Sequence, residues 1–363
     1  MHSWATALST WFEVHQRAMP WRETPSPYRT WISEMMLQQT QVDTVIPYFG
    51  RFLARFPDVH ALASAHQDDV LKQWEGLGYY SRARNLHKAA HQVVDIHEGV
   101  LPTTYKDLQT LPGIGPYAAA AIASIAYEVA VPVVDGNVLR VFARFWGLTT
   151  DIRLPSIRQD IFDRLMPVVA TQTPSVFNQA IMELGALICT PKKPQCGICP
   201  IQSDCVAYAT DQTETLPVKA KAKPVPHYVI GVGLIRYQGR ILIAKRNESG
   251  MLGGLWELPG GKQNPDEAIE TTVTREILEE TGLSVSIVKP LCVIKHAYTH
   301  FKITMHTYLC DAPHDRAFAK SSTEVQWVLP ESLSDYAFPT ATHKVFAAMG
   351  DGVLVGLLDS GAV

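Results

Sequence analysis

Four of the six cysteines in this 363-residue chain stand at Cys189, Cys196, Cys199 and Cys205, a C-x6-C-x2-C-x5-C run. Four thiolates that close together suit one metal centre, a tetrahedral zinc or a cubane [4Fe–4S] cluster. Zinc sites usually pair two short C-x-x-C knuckles, and this run has one, which favours the cluster. Disulfides are the alternative. They fit poorly, because residues 1–21 lack a basic stretch followed by an apolar block, so a reducing compartment is expected. Cys292 and Cys310 fall in apparent strands and read as core residues. Lys192 and Lys193, inside the cysteine run, read equally well as a phosphate contact or as a solvated pair.

A second constellation runs through Leu111-Pro112-Gly113-Ile114-Gly115-Pro116-Tyr117, an alanine-rich stretch, and Val134-Asp135-Gly136-Asn137. Pro112 starts a turn, and Gly113 and Gly115 can take positive φ, so their amides would converge where the next helix begins. A helix N-terminus with such a nest holds a phosphate without basic side chains. The competing reading is a plain helix–turn–helix connection. Cleaving a glycosidic bond calls for two carboxyls in opposite protonation states. Asp135, at an expected helix start, suits the anionic role, unless it is only an N-cap. Glu34, an isolated acid in Ile32-Ser33-Glu34-Met35-Met36, suits the protonated role if burial raises its pKa. A solvent-facing glutamate is the alternative.

The third constellation lies between Gly261 and Leu283. Glu276, Glu279 and Glu280 are spaced i, i+3 and i+4 and share one helix face, where they repel unless a divalent cation such as Mg²⁺ neutralises them. A solvated acidic face is the competing reading. Further on, His296-Ala297-Tyr298-Thr299-His300 offers a ring that can stack and a hydroxyl that can read a base edge. A histidine metal pair is the weaker alternative there.

These groups need two kinds of scaffold. Helix-period apolar spacing over 32–49, 61–75, 83–97, 117–126 and 176–189 predicts an all-α domain over residues 1–215, with the cysteine loop at 189–205. Residues 216–226 form a Pro/Lys linker, expected to be extended and semi-rigid. Strand patterns at 228–237, 240–245, 285–294 and 302–309, a turn at Gln238-Gly239 and a helix at 267–281 predict an α+β domain over 227–357. Net charge is −3, with 20 Lys and Arg against 20 Asp and Glu before Pro226 and 12 against 15 after it. A nucleic acid would have to be held by placed donors rather than by a positive field. No apolar run approaches the roughly 18 residues of a membrane span.

Residues 21–215 resemble the adenine DNA glycosylases of the endonuclease III (helix–hairpin–helix) superfamily. The matching strings are Trp21-Arg22, 33–42, Gly76-Leu77-Gly78-Tyr79-Tyr80-Ser81-Arg82, 111–117 and 134–138, together with the cysteine quartet. The resemblance implies base-excision repair on double-stranded DNA bearing A:8-oxoguanine or A:G mispairs, with the adenine flipped out of the stack. It implies that Glu34 protonates adenine N7, that Asp135 stabilises the cationic sugar, and that Tyr117 and Asn137 position the reacting groups. Gln39, Leu77 and Tyr79 would wedge into the duplex, Trp21, Arg22 and Gln179 would line the site, and Gly113 and Gly115 would hold the backbone. Tyr117 stands where lyase relatives carry lysine, so a monofunctional enzyme is expected. A structural [4Fe–4S] cluster, a monomer and a bacterial cytoplasmic, nucleoid-associated location are further implications.

The 261–283 segment satisfies the Nudix box. In this family the C-terminal domain resembles a Nudix fold and reads 8-oxoguanine, usually with a degraded box and a Phe-Ser-His loop. Here the box is intact, and Tyr298-Thr299-His300 replaces that loop. An active Mg²⁺-dependent Nudix pyrophosphohydrolase fused to the glycosylase is therefore an alternative. Other rivals are an endonuclease III-like glycosylase for oxidised pyrimidines and a lesion-binding module with a dead catalytic domain.

Overall fold

A computed structural model of the chain describes residues 3–220 and 224–350. Positions 221–223 of the expected linker and 351–357 of the expected second domain lie outside the described residues. Two compact units emerge, Met1–Ser64 with Asn85–Ala222, and Ala65–Arg84 with Lys223–Val363. The stretch 65–84 thus packs with the second unit, although its sequence neighbours belong to the first.

The first unit is helical, and its helix starts follow local chemistry. Ser26 accepts from the Arg29 amide with Pro27 in the first turn, and Pro116, Pro155 and Pro174 open the helices Pro116–Tyr127, Pro155–Val169 and Pro174–Leu187. Asp135 caps Gly136–Phe145 by accepting from the Val138 amide. Ala5, Leu8 and Phe12 of the Ser3–His15 helix pack in one core with Phe142, Phe177, Ile181 and Leu184. Two expected helices are broken. The 32–49 pattern is divided into Pro27–Leu37 and Val42–Arg55 by Gln39 at φ 58°. The 61–75 pattern is divided into Val59–Ala63 and Gln67–Trp74, the latter capped by His66. Apolar periodicity is blind to such breaks, since each piece still buries one face.

The linker also departs from expectation over its first residues. Leu216 is 4% exposed, its carbonyl accepts from Arg144 Nε at 2.8 Å, and the Val218 carbonyl accepts from the Ile152 amide at 3.2 Å. An apolar residue and its backbone dock there instead of spanning water.

The second unit carries a seven-stranded mixed sheet. Trp256–Glu257, Arg240–Lys245, His227–Tyr237, Lys302–Asp311 and Ser286–Ala297 lie side by side in that order. Among the described residues only the His227–Tyr237 and Lys302–Asp311 pair runs parallel, while Gly260–Lys262 and Glu324–Val328 add antiparallel partners. Gln238 and Gly239 both take positive φ, as a primed two-residue hairpin requires. Two cores flank the sheet. One includes Val273 and Ile277 of the Ile269–Thr281 helix, and the other includes Val345 and Met349 of the Thr340–Met349 helix. Among the described residues no helix is long and apolar enough to cross a membrane.

Candidate active site

The first unit holds a cleft of roughly 750 Å³ that gathers Trp21, Arg22, Glu34, Tyr117, Asp135, Asn137 and Gln179. Glu34 is 5% exposed on the Pro27–Leu37 helix, and Tyr117, in the first turn of Pro116–Tyr127, donates its hydroxyl to Glu34 Oε2 at 2.7 Å. Burial pushes Glu34 up to about 7, the Tyr117 hydrogen bond and Arg22 pull it back, and the charge of Asp135 adds to the rise. Burial likewise drives the Tyr117 phenol well above its ordinary range, so the hydroxyl keeps its proton.

Asp135 is partly exposed and faces a different set of partners. Its Oδ1 accepts from the Val138 amide at 2.7 Å and its Oδ2 from Asn137 Nδ2 at 2.9 Å. Burial raises its pKa, and these donors with the Arg140 charge oppose the rise. Asn137 is itself oriented by Arg140 Nη2 at 2.8 Å, while Arg140 also donates to the carbonyls of Gly185 and Cys189. A Cβ on Gly185 would fall 2.6 Å from Asn137 Cβ, so only glycine lets the two helices approach this closely.

Two cleft residues escaped the sequence reading. Glu183, buried on Pro174–Leu187, pairs with Arg17 at 2.8 Å and with Arg22 at 3.3 Å. Arg22 Nε in turn donates to Gln179 Oε1 at 2.9 Å, and Gln179 Nε2 donates to the Ser175 carbonyl at 3.2 Å. The signal was present in Met182-Glu183-Leu184, an isolated acid in an apolar run like that around Glu34.

The glycine hairpin differs from expectation at one position. Gly113 has φ 77°, but Gly115 has φ −83° and serves as the N-cap of Pro116–Tyr127, its carbonyl accepting from the Ala119 amide at 2.9 Å. Ordering the first turn needs an extended residue there, not a left-handed one. A Cβ on Gly115 would meet nothing within 4 Å, so the space beside it is open. Gln39 is exposed.

Cys189, Cys196, Cys199 and Cys205 are free thiols that line one cavity with Val141, Phe145, Leu184 and Ile188. Arg144 Nη1 donates to Cys189 Sγ at 3.3 Å. Four sulfurs around an apolar, donor-bearing hollow fit an iron–sulfur group. Lys192 and Lys193 are exposed beside it. Among the described residues no three His, Cys, Asp or Glu side chains are grouped so as to hold a single metal ion.

In the second unit a cavity of roughly 450 Å³ is lined by Arg246, Glu257, Glu276, Glu280, Tyr298 and His300, among others. Glu276 and Glu280 both line this cavity, and Glu279 is not among its lining residues. Arg275 pairs with Glu276 at 2.8 Å and with Glu279 at 3.2 Å, and the Glu279 side chain is 59% exposed. Arg275 thus supplies a counter-charge to two of the three box glutamates. Tyr298 stacks on Phe301 with centroids 4.6 Å apart, and Thr299 shares a hydroxyl hydrogen bond with Tyr79. Leu77 is 6% exposed.

Residues 32–166 match the HhH-GPD superfamily of base excision DNA repair proteins, residues 189–205 the iron–sulfur binding domain of endonuclease III, and residues 231–348 the NUDIX domain. The chain is 32% identical over 340 residues to an adenine DNA glycosylase of Buchnera aphidicola subsp. Schizaphis graminum (strain Sg), covering 93% of this chain and 96% of that one. It is 33% identical over 399 residues to an adenine DNA glycosylase of Mus musculus, covering 95% and 77%. Among solved structures, a thermostable thymine-DNA glycosylase is similar at TM-score 0.53 and 26% identity, covering 57% of this chain and 96% of that one. A trapped endonuclease III–DNA covalent intermediate shares the fold at TM-score 0.50 and 20% identity, covering 58% and 95%. With relatives aligned along nearly its whole length, the chain belongs to the adenine DNA glycosylase family, enzymes of base-excision repair.

Proposed function

We propose that the chain hydrolyses the N-glycosidic bond of adenine mispaired with 8-oxoguanine or guanine, and that Glu34 and Asp135 divide the work. The observation that carries this reading is the 2.7 Å hydrogen bond from Tyr117 to a buried Glu34 whose pKa lies near 7. With Oε2 occupied as an acceptor, the other carboxyl oxygen is left to carry the proton to adenine N7. The departing base takes the electron pair of the bond, the sugar becomes cationic, and Asp135, held by the Val138 amide and Asn137, offers the compensating charge. Water completes the hydrolysis. Tyr117 presents no amine, so strand cleavage is absent. Single-turnover adenine release from A:8-oxoguanine and A:G duplexes tests the reading, using wild type, Glu34→Gln and Asp135→Asn. Full activity in either variant sinks it, and β-elimination without added base sinks the monofunctional claim.

The same proposal covers the ligands of this chain. Cys189, Cys196, Cys199 and Cys205 would hold a [4Fe–4S] cluster, one thiolate per iron, which supplies structural cross-linking. The run offers one short C-x2-C pair where a tetrahedral zinc site usually pairs two, which favours the cluster over zinc. Metal analysis showing zinc instead of iron and sulfide overturns the assignment. The protein would act as a monomer in the bacterial cytoplasm at the nucleoid, with residues 1–215 and 227–357 as glycosylase and lesion-reading domains and 216–226 between them. Trp21, Arg22, Gln39, Leu77, Tyr79, Gly113, Gly115 and Gln179 would contact DNA or the flipped base.

A second reading has its own observation. Glu276 and Glu280 share a cavity with Arg246 and the Tyr298 ring, as a nucleotide site would require. Mg²⁺ there would supply charge neutralisation for a pyrophosphate, held by one or two carboxylates. Pyrophosphate release from 8-oxo-dGTP by the full chain, lost on Glu280→Gln, favours it. Recognition by Tyr298, Thr299 and His300 remains the main assignment.

A further inference from the structure

Within the second unit, the turn Gly76–Tyr80 follows the Gln67–Trp74 helix and has a heavily determined backbone. Gly76, Gly78 and Tyr79 take φ of 97°, 73° and 49°. The Gly76 amide donates to the Tyr80 hydroxyl at 3.0 Å, and Trp74 Nε1 and Arg82 Nη2 donate to the Gly78 carbonyl at 3.2 and 3.0 Å. The Arg82 guanidinium lies over the rings of both Trp74 and Tyr79. Left-handed non-glycine backbone persists only where its surroundings enforce it.

Glu75, the residue entering this turn, reaches away from it. Its Oε1 accepts from the Phe338 amide at 2.7 Å and from His343 Nε2 at 2.7 Å, and its Oε2 accepts from Lys72 Nζ at 2.7 Å. Lys72 Nζ also donates to the Tyr336 carbonyl at 3.0 Å. A carboxylate only accepts, so His343 carries its proton on Nε2. The Glu75 side chain is 15% exposed, and three donors on one largely buried carboxylate make a strong fastening. At the other end of the turn, the Tyr79 hydroxyl is bonded to Thr299 in the Tyr298–Phe301 loop.

We infer that Glu75 is a positioning residue that locks the Gly76–Tyr80 turn and the Tyr298–Phe301 loop into one rigid reader, presenting wedge and lesion contact at a fixed spacing. The inference rests on the proposed reading of Leu77, Tyr79 and Thr299 as DNA contacts. Without Glu75 the turn keeps its internal conformation but loses its fastening to 336–343, and the Tyr79–Thr299 bond alone cannot hold the register. Selectivity for the lesion, rather than glycosidic chemistry, should then suffer.

The test is a double-mutant cycle in the full-length protein with Glu75→Ala and Thr299→Val. Single-turnover adenine release is read on A:8-oxoguanine and A:G duplexes, alongside unstacking of a 2-aminopurine placed next to the lesion. Each single variant should lower the A:8-oxoguanine to A:G rate ratio about tenfold, the order of one net hydrogen bond. The double variant should lower it no further, because the two sites act as one device. His343→Phe asks the same question should Glu75→Ala fold poorly, since it keeps the ring packing beside Phe338 and Phe346 and removes the donor. His343→Gln, which restores a donor, should recover most of the ratio. A purely structural role would move thermal stability without the coupling. Additive effects, or an unchanged ratio in an active Glu75→Ala, overturn this inference alone. Wild-type inactivity on both duplexes sinks it together with the functional reading beneath it.

Discussion

Each unit gathers a pair of carboxyls in a cleft or cavity, and the two pairs are equipped differently. Glu34 and Asp135 sit in the cleft of the first unit, and Glu257 and Glu280 sit in the cavity of the second. Burial raises one member of each pair, Glu34 and Glu280, to about 7. The partners then diverge. Glu34 is met by the neutral Tyr117 hydroxyl and Asp135 by amide donors, so neither is neutralised by a contacting cation. Glu257 is in a salt bridge with Arg246, which pulls against the burial that raises it, and Glu280 accepts from the Gly260 amide at 3.0 Å. A raised pKa locates a candidate, but the partner decides whether the proton can be delivered or the charge is merely stored.

The contrast breaks most visibly in adenine release. Glu34→Gln should lower the single-turnover rate by roughly 10²–10⁴, the usual worth of a general acid, and Asp135→Asn should cause a comparable loss. Glu257→Gln and Glu280→Gln should leave the rate within about twofold of wild type, as expected for groups outside the reacting site. A large loss in Glu280→Gln would erase the distinction between the pairs.

Stability against pH comes next. Glu34 has its folded pKa raised from 4.5 to about 7, so it costs nothing below 4.5, where both states are protonated, and penalises folding increasingly as pH rises from 4.5 to about 7, above which the penalty is constant. The full penalty is about 3 kcal/mol at pH 8 by the linkage relation. Glu34→Gln should therefore gain in Tm over wild type as pH is raised from 5 to 8, measured by thermal unfolding. A constant offset across that range would deny that Glu34 is buried as an acid. The pH–rate profile gives a smaller signal. Adenine release should fall about tenfold per pH unit above the Glu34 pKa. Tyr117→Phe removes a hydrogen bond that favours the charged form, so the break should move upward. The smallest effect belongs to Glu280→Gln. It should show the same direction of pH-dependent stabilisation as Glu34→Gln, but less of it, because Glu280 is only partly buried by its surroundings.

Much of this was legible residue by residue. The cysteine run, the hairpin proline and glycines, Asp135 before Gly136-Asn137 and the Gln238-Gly239 turn each carry local chemistry that survives folding. What stayed illegible had non-local causes. The break at Gln39 has no Gly or Pro to announce it, because surroundings and not the residue enforce its left-handed backbone. The box glutamates shared a helix face as spacing required, yet Arg275 claims two of them. Glu183 carried the same signature as Glu34, an acid among apolar neighbours, and only its arginine partners distinguish a structural ion pair from a proton donor.

The sequence by itself determined that two isolated carboxyls, a proline–glycine turn, four closely spaced cysteines and an intact Nudix box exist, because residue type and short-range spacing are written in the chain. Tertiary structure alone decided which acid is pushed furthest toward its protonated form. That outcome depends on how much water each carboxyl loses and which distant donor meets it, Tyr117 for Glu34 and Arg246 for Glu257. It also decided that 65–84 belongs with the second unit, since packing follows complementary surfaces rather than order along the chain.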